Sequence, residues 1–442
     1  MTLPRAQAAL AAIAAAALLA PATALAVNYP PPSNPGAAKP RSGAVATLKV
    51  CKQRTCRYHS IQSAVNAARS GDRILVADGA YREGVKVNGH GKDGLRLIGH
   101  PSRPTKAFIN ATGKQNGIIV NGADRVKIDG FATKGYKANG FFVVNADGYT
   151  INHVVAQGPG GYGVFAFNSL GGTMKNSEAY YNNDSGFYIG QTPPQTRPKR
   201  SIVDNVVAWG NVLGWSGTNM RYVTIKNSDF YNNGLGIVPN ALTSEKFPPP
   251  EDNVISGNRV FWNNFNYFRA APFKLRPGAT GDEVPYPVGT GILLYGSRNT
   301  RVENNEIFGN YLVGFGEVPA VLFDKSKCTA TVACQGDPTV LQGNQVKGNK
   351  LGLGGADLNG RDLLYDGSGS GNCFESNTLT SPTVPADGKT FVACGQTPPE
   401  DSAALQEGLT WAIDSTTDHE KYWLRHPHKS IRGIKPLEHY RK

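Results

Sequence analysis

The chain has 442 residues, a formal net charge of +13 and 33 Asp or Glu against 46 Lys or Arg. The length alone would suggest two or three ordinary domains. The basic charge comes without any DNA- or RNA-binding motif, and past residue 20 no apolar run reaches the roughly 20 residues that a membrane span needs. A nucleic-acid binder and a membrane-spanning protein are therefore not indicated.

Arg5, the apolar run Ala8 to Ala20, Pro21 and the small residues Ala24-Leu25-Ala26 predict a secretory signal over residues 1–26. No twin arginine and no cysteine marks the cleavage site, so the chain is expected to be secreted, or periplasmic or at the cell surface, without a lipid anchor. Loss of Arg5 with the signal lowers the formal charge to +12. Residues 27–50 read as a Pro/Gly-rich arm. From Ser60 to Arg69 the apolar residues Ile61, Ala64, Val65 and Ala68 lie on one helical face, with Ser60 placed as N-cap. Gly71-Asp72 ends this helix, and Ile74-Leu75-Val76 begins the first strand.

From residue 116 onward the chain repeats. Short apolar runs follow Gly117, Gly140, Gly163, Gly186, Gly214, Gly236, Gly291 and Gly314, at steps of 23, 23, 23, 28, 22, 55 and 23 residues. Asparagines six apart keep the same period: Asn176/Asn182, Asn205/Asn211, Asn227/Asn233, Asn258/Asn264 and Asn304/Asn310, with Asn344/Asn349 a slipped copy. Each unit holds two or three alternating or β-branched runs and no run of helical spacing. Three short strands and three turns in about 22 residues make one coil of a β-solenoid, so a single domain over residues 51–395 is expected. Asparagine tolerates the left-handed conformation of tight turns. Asn205 and Asn227 are therefore expected in stacked turns, bonded to each other and to backbone.

Units such as Ile225-Lys-Asn-Ser-Asp-Phe-Tyr-Asn-Asn233 resemble the right-handed parallel β-helix superfamily that includes pectate lyases, pectinesterases and alginate epimerases. The resemblance runs from about Cys51 to Cys394 and implies an all-β, right-handed parallel β-helix with an N-terminal helical cap. It carries over no catalytic residue. Gly89-His90-Gly91 matches a polygalacturonase triplet without its carboxylate pairs, and the Gln-Asp-Thr-Leu, Arg-x-Pro-x-x-Arg and Asp-Pro-His-Asp signatures of other members are missing. No metal ligand set is read; calcium has no motif here, and the cofactor stays unknown.

The six cysteines suit an oxidising compartment and fall as close pairs, Cys51/Cys56, Cys328/Cys334 and Cys373/Cys394. Six cysteines allow 15 connectivities; a solenoid keeps sequence neighbours close, so sequential pairing is expected. None of the pairs has zinc spacing.

Four insertions, at residues 191–200, 244–252, 269–287 and 317–337, follow glycine-led strands and should stack on one flank. Their charged residues Lys199, Arg200, Glu245, Asp252, Arg269 and Lys274, with Tyr188 on the strand before the first, are the candidate catalytic groups. In each glycine-led run the first residue after glycine is apolar and inward, which turns the second and fourth outward. Phe142, Phe165, Tyr188, Phe167 and Tyr295 are thus expected in an exposed outer row able to stack on sugar rings. After Cys394 comes a short mixed stretch and a basic, aromatic segment containing Tyr422-Trp423, both within residues 396–442. Two functions fit. One is an enzyme, a lyase or epimerase, on an acidic polysaccharide or cell-surface glycan. The other is a non-catalytic glycan-binding or structural β-helix. Oligomeric state is not legible.

Overall fold

The glycine-led runs become rungs of one sheet. In the computed structural model, described for residues 43–243, 245–264, 286–320 and 339–417, ten strands from Val85–Asn88 to Leu363–Tyr365 pair in parallel, each with the next coil along the chain. All eight marker glycines lie in this sheet. The register places Ile118, Phe141, Val164, Phe187 and Trp215 opposite one another, and Ile237, Ile292 and Phe315 continue the column. These residues are fully buried in one continuous core, each apolar side chain contributing about 1.5–3 kcal/mol. A second parallel sheet of eighteen strands forms the other walls, so the chain is a parallel β-solenoid.

Two ends differ from the sequence reading. The first rung is Thr47–Val50, inside the expected arm, and it pairs with Arg73–Val76. The helix is Ile61–Ala67; Ser60 Oγ accepts from Ser63 N, and Ile61, Ala64 and Val65 enter the core. At the other end the short mixed stretch after Cys394 contains a helix, Ser402–Thr417. Asp401 starts it by accepting from the amides of Ala403 and Ala404. Ala404 and Trp411 then pack against Leu293, Tyr295, Val318 and Leu364 on the outer face of the last coils. Tyr295, expected in the exposed outer row, is buried there. Tyr422-Trp423 lies outside the described residues.

Asparagine side chains do stack, but mainly through the second member of each pair. Asn182, Asn211, Asn233, Asn263, Asn310 and Asn359 form a buried ladder. In it the backbone N and Nδ2 of each donate to Oδ1 of the next, the Nδ2 bonds being 2.8–3.2 Å. Asn263 takes the place expected for Asn264. The first members Asn176, Asn205, Asn227 and Asn304 occupy left-handed turns, with φ of 48°, 54°, 51° and 56°. Asn205 donates to Asn176, but Asn227 donates to Asp204 Oδ1, so Asn205 and Asn227 are not bonded to each other. The turn replaces one partner because a nearby carboxylate competes for the same amide. Cys51–Cys56 and Cys373–Cys394 are disulfides; Cys328 and Cys334 lie outside the described residues.

Candidate functional site

The outer aromatic row forms, and it is closed. Phe142 and Phe165 stack with centroids 4.9 Å apart, and Tyr188 meets Phe165 edge-on at 4.7 Å. Phe167 tilts against Phe165 at 5.9 Å, and Tyr162, which the alternation does not single out, stacks on Phe165 at 4.3 Å. Yet Phe165 is 1 % exposed, Phe142 3 %, Tyr188 4 % and Phe167 9 %. The expected open platform is corrected to a buried aromatic cluster, in keeping with the cost of leaving so much apolar surface in water.

The loop 245–252 is fastened to the solenoid by a side chain the sequence reading passed over. Arg221 is 4 % exposed. Its Nε donates to Glu251 Oε1 at 2.6 Å, Nη2 to the Pro248 carbonyl at 2.9 Å, and Nη1 to the carbonyls of Phe247 and Thr192. Asn219 Nδ2 adds bonds to the carbonyls of Leu242 and Lys246. Three guanidinium bonds to this loop and one to the Thr192 carbonyl make the charge tolerable when buried. Nothing in the run Asn219-Met220-Arg221 announces this role, because its partners lie 26 to 30 residues away.

The anchored loop delivers Glu245, whose Oε2 accepts from Gln191 Nε2. Burial raises the Glu245 carboxyl above its ordinary range; the Gln191 bond pulls it down and the charge of Asp184 pushes it further up. Asp184 and Gln191 flank the strand Ser185–Gly190 that carries Tyr188. The Tyr188 ring lies down along that strand, so a Cβ on Gly190 would come within 2.2 Å of the Tyr188 hydroxyl. The phenol oxygen is thereby held next to the residue preceding Gln191. Gln191, just past the end of this strand, is the link between Glu245 and the strand that carries Tyr188. Gly190→Ala should displace the Tyr188 ring at a cost of about 1–3 kcal/mol, seen as a changed near-UV spectrum and a lower unfolding midpoint. An unaltered near-UV spectrum would contradict this placement.

The other expected charges stand elsewhere. Arg200 Nη1 donates to the Asp252 carbonyl at 2.9 Å, joining the far ends of two loops. Lys199 Nζ is 3.9 Å from Asp147. Arg269 and Lys274 lie outside the described residues. Glu317, expected in a loop, belongs to the strand Val313–Val318 and points into the core. His90, Asp93 and Asp124 bring ligand-type atoms within 4.8 Å of one another. These groups already serve one another: Asp93 Oδ1 accepts from Asp124 N at 2.8 Å, and Arg125 supplies positive charge to Asp93 at 3.4 Å.

A family model described as the right handed beta helix region matches residues 106–241 and 139–384. No curated protein matches the sequence. Among solved structures, the chain is similar to the A-module of mannuronan C-5 epimerase AlgE4 of Azotobacter vinelandii, at 17 % identity over 73 % of this chain and 90 % of that one, TM-score 0.48. The A-module of AlgE6 from the same organism gives 16 % identity over 77 % and 95 %, TM-score 0.49. An alginate lyase from Paenibacillus sp. str. FPU-7 gives 16 % identity over 80 % and 99 %, TM-score 0.42.

Proposed function

Because the chain belongs to the right-handed β-helix region family, matched between residues 106 and 384, we propose that it is an exported protein acting on an acidic polysaccharide at the outer face of the ten-stranded sheet. The observation that carries this reading is Glu245, a half-buried carboxyl on a loop locked by Arg221 and bonded to Gln191, the residue that follows the strand carrying Tyr188. Burial favours the protonated form of the Glu245 carboxyl, a group able to give or take a proton, and the Tyr188 phenol on the strand Ser185–Gly190 supplies a second exchangeable proton. Both lyase and epimerase chemistry begin by removing the proton beside a sugar carboxylate, once a cation has neutralised that carboxylate. Lys199, Arg200, Arg269 and Lys274 are proposed for that neutralisation. The net charge of +13 suits an anionic polymer. The two disulfides suit an exported protein, and among the described residues no helix is long and apolar enough to cross a membrane.

A second reading, a glycan-binding β-helix without catalysis, is favoured by one specific observation: the outer aromatic rings are shut off from solvent. Product formation on a panel of polyuronates separates the two. The parent protein is expected to give unsaturated or C5-inverted products. Glu245→Gln should lower turnover at least about 100-fold with an unchanged unfolding midpoint. A Glu245→Gln variant as active as the parent removes Glu245 from the chemistry, and a parent inert on every polymer leaves the binding reading.

A further inference from the structure

The positive charge of this protein is concentrated at one end. Residues 44–134 contain 16 Lys or Arg and six Asp or Glu, a net of +10 out of the +13 of the whole chain. The solenoid puts part of this excess in a line. Arg73 pairs with Arg96, and Arg96 with Lys127, as direct register partners on three successive coils of the eighteen-stranded sheet. All three side chains are exposed. The same column continues through Thr150 and Thr173. With coils about 4.8 Å apart, the five positions span about 19 Å along the solenoid axis.

We propose that this column is a binding strip for a linear polyanionic glycan lying parallel to the axis, separate from the Glu245 site. Like charges directly opposite on neighbouring strands are destabilising, and here three cations repeat without a carboxylate between them. None of the three forms an ion pair among the described residues. The adjacent outward column, Lys49, Leu75, Ile98 and Asp129, adds a fourth exposed cation. Its one carboxylate, Asp129, is engaged by His153 at 2.8 Å. Equal spacing along a straight line matches a polymer with one charge per unit better than a single compact anion. The hydroxyls of Thr150 and Thr173 extend the line with groups that pair with sugar hydroxyls. Neither column contains an aromatic ring, so the stacking surface that single-stranded nucleic acid uses is missing here.

The test uses the full chain and fluorescently labelled polygalacturonate, with anisotropy read at increasing NaCl. The variant is Arg73→Gln, Arg96→Gln and Lys127→Gln combined. Binding at low salt should weaken about ten-fold or more, and the salt dependence should become shallower by about 2 on the log–log slope, as roughly 0.7 is lost per cation removed. A control triple, Lys226→Gln, Lys347→Gln and Lys350→Gln, removes cations that already pair with Asp204, Glu375 and Glu306; it should bind as the parent does. Should the strip triple unfold, Arg96→Gln alone gives the same reading with a smaller loss. The proposal is overturned by a parent that does not bind the polymer, by a folded strip variant of parental affinity, or by a control triple equally weakened. Oligothymidylate binding the strip more tightly than the polyuronate would overturn it in favour of nucleic acid.

Discussion

Replacing Glu317 with leucine is expected to raise the unfolding temperature, and to raise it most at alkaline pH. Glu317 stands in register with Leu294 and Tyr365, whose side chains belong to the interior of the solenoid. It is fully buried, and neither carboxylate oxygen has a hydrogen-bond partner among the described residues. Burial, with a contribution from the charge of Asp366, pushes its carboxyl up to about 8. The native state therefore holds a proton that the unfolded chain releases near the ordinary carboxylate range. Stability is least penalised below that range, falls as pH rises towards 8, and levels off above it. The loss across this window is on the order of 3–5 kcal/mol. Leucine has similar volume and no charge to bury, so the gap between variant and parent should open across the same window. The groups facing Glu317 that could share the titration are Tyr365 and Asp366, both pushed up mainly by burial, with Glu400 acting on both. Parallel curves of unfolding temperature against pH for the two proteins would show that Glu317 is not buried as described.

The second large effect is expected from the buried asparagine ladder. Asn233 Oδ1 accepts from both Asn211 N, at 3.1 Å, and Asn211 Nδ2, at 3.0 Å. Its own Nδ2 donates to the Ala208 carbonyl at 2.9 Å and to Asn263 Oδ1 at 3.1 Å. Asn233→Ala leaves the Asn211 backbone N–H without an acceptor, takes one of three acceptors from Asn211 Nδ2, and removes the donor to the Ala208 carbonyl and Asn263 Oδ1 in a buried interior. It should cost about 3–5 kcal/mol, since each orphaned buried group loses about 1–3 kcal/mol. Asn227→Ala should cost about 1 kcal/mol, chiefly for placing alanine in a left-handed turn. The Asn227 side chain is exposed and makes a single bond, to Asp204. Urea midpoints followed by far-UV circular dichroism compare the two variants. Equal losses would mean that the ladder carries no more than an ordinary turn does.

These two residues mark the boundary between local and global information. Asparagine at a fixed period announced stacked turns, but which member of each pair faces inward depended on how the coil closes. Asn233 is enclosed because the next coil lies over it, and Asn227 is not.

By itself the sequence determined the parallel solenoid, its glycine-led sheet and the in–out alternation of that sheet. The reason is that side chains along a strand alternate with period two. A slip of one residue would turn Phe141, Val164, Phe187 and Trp215 out of the core together, so the apolar pattern admits one register. The Ser60 cap was legible for the same local reason, since its partner Ser63 is three residues away. Only the tertiary structure decided what lies over each face. Phe142, Phe165 and Tyr188 point outward as the alternation requires, yet they are closed from solvent. Tyr295 is covered by a helix more than 100 residues further on. Glu317 left an expected loop for the core, and Arg221 gathered a loop 26 to 30 residues away, whose Glu245 meets Gln191. Strand periodicity fixes the direction of a side chain, whereas burial depends on contacts between segments that no local pattern connects.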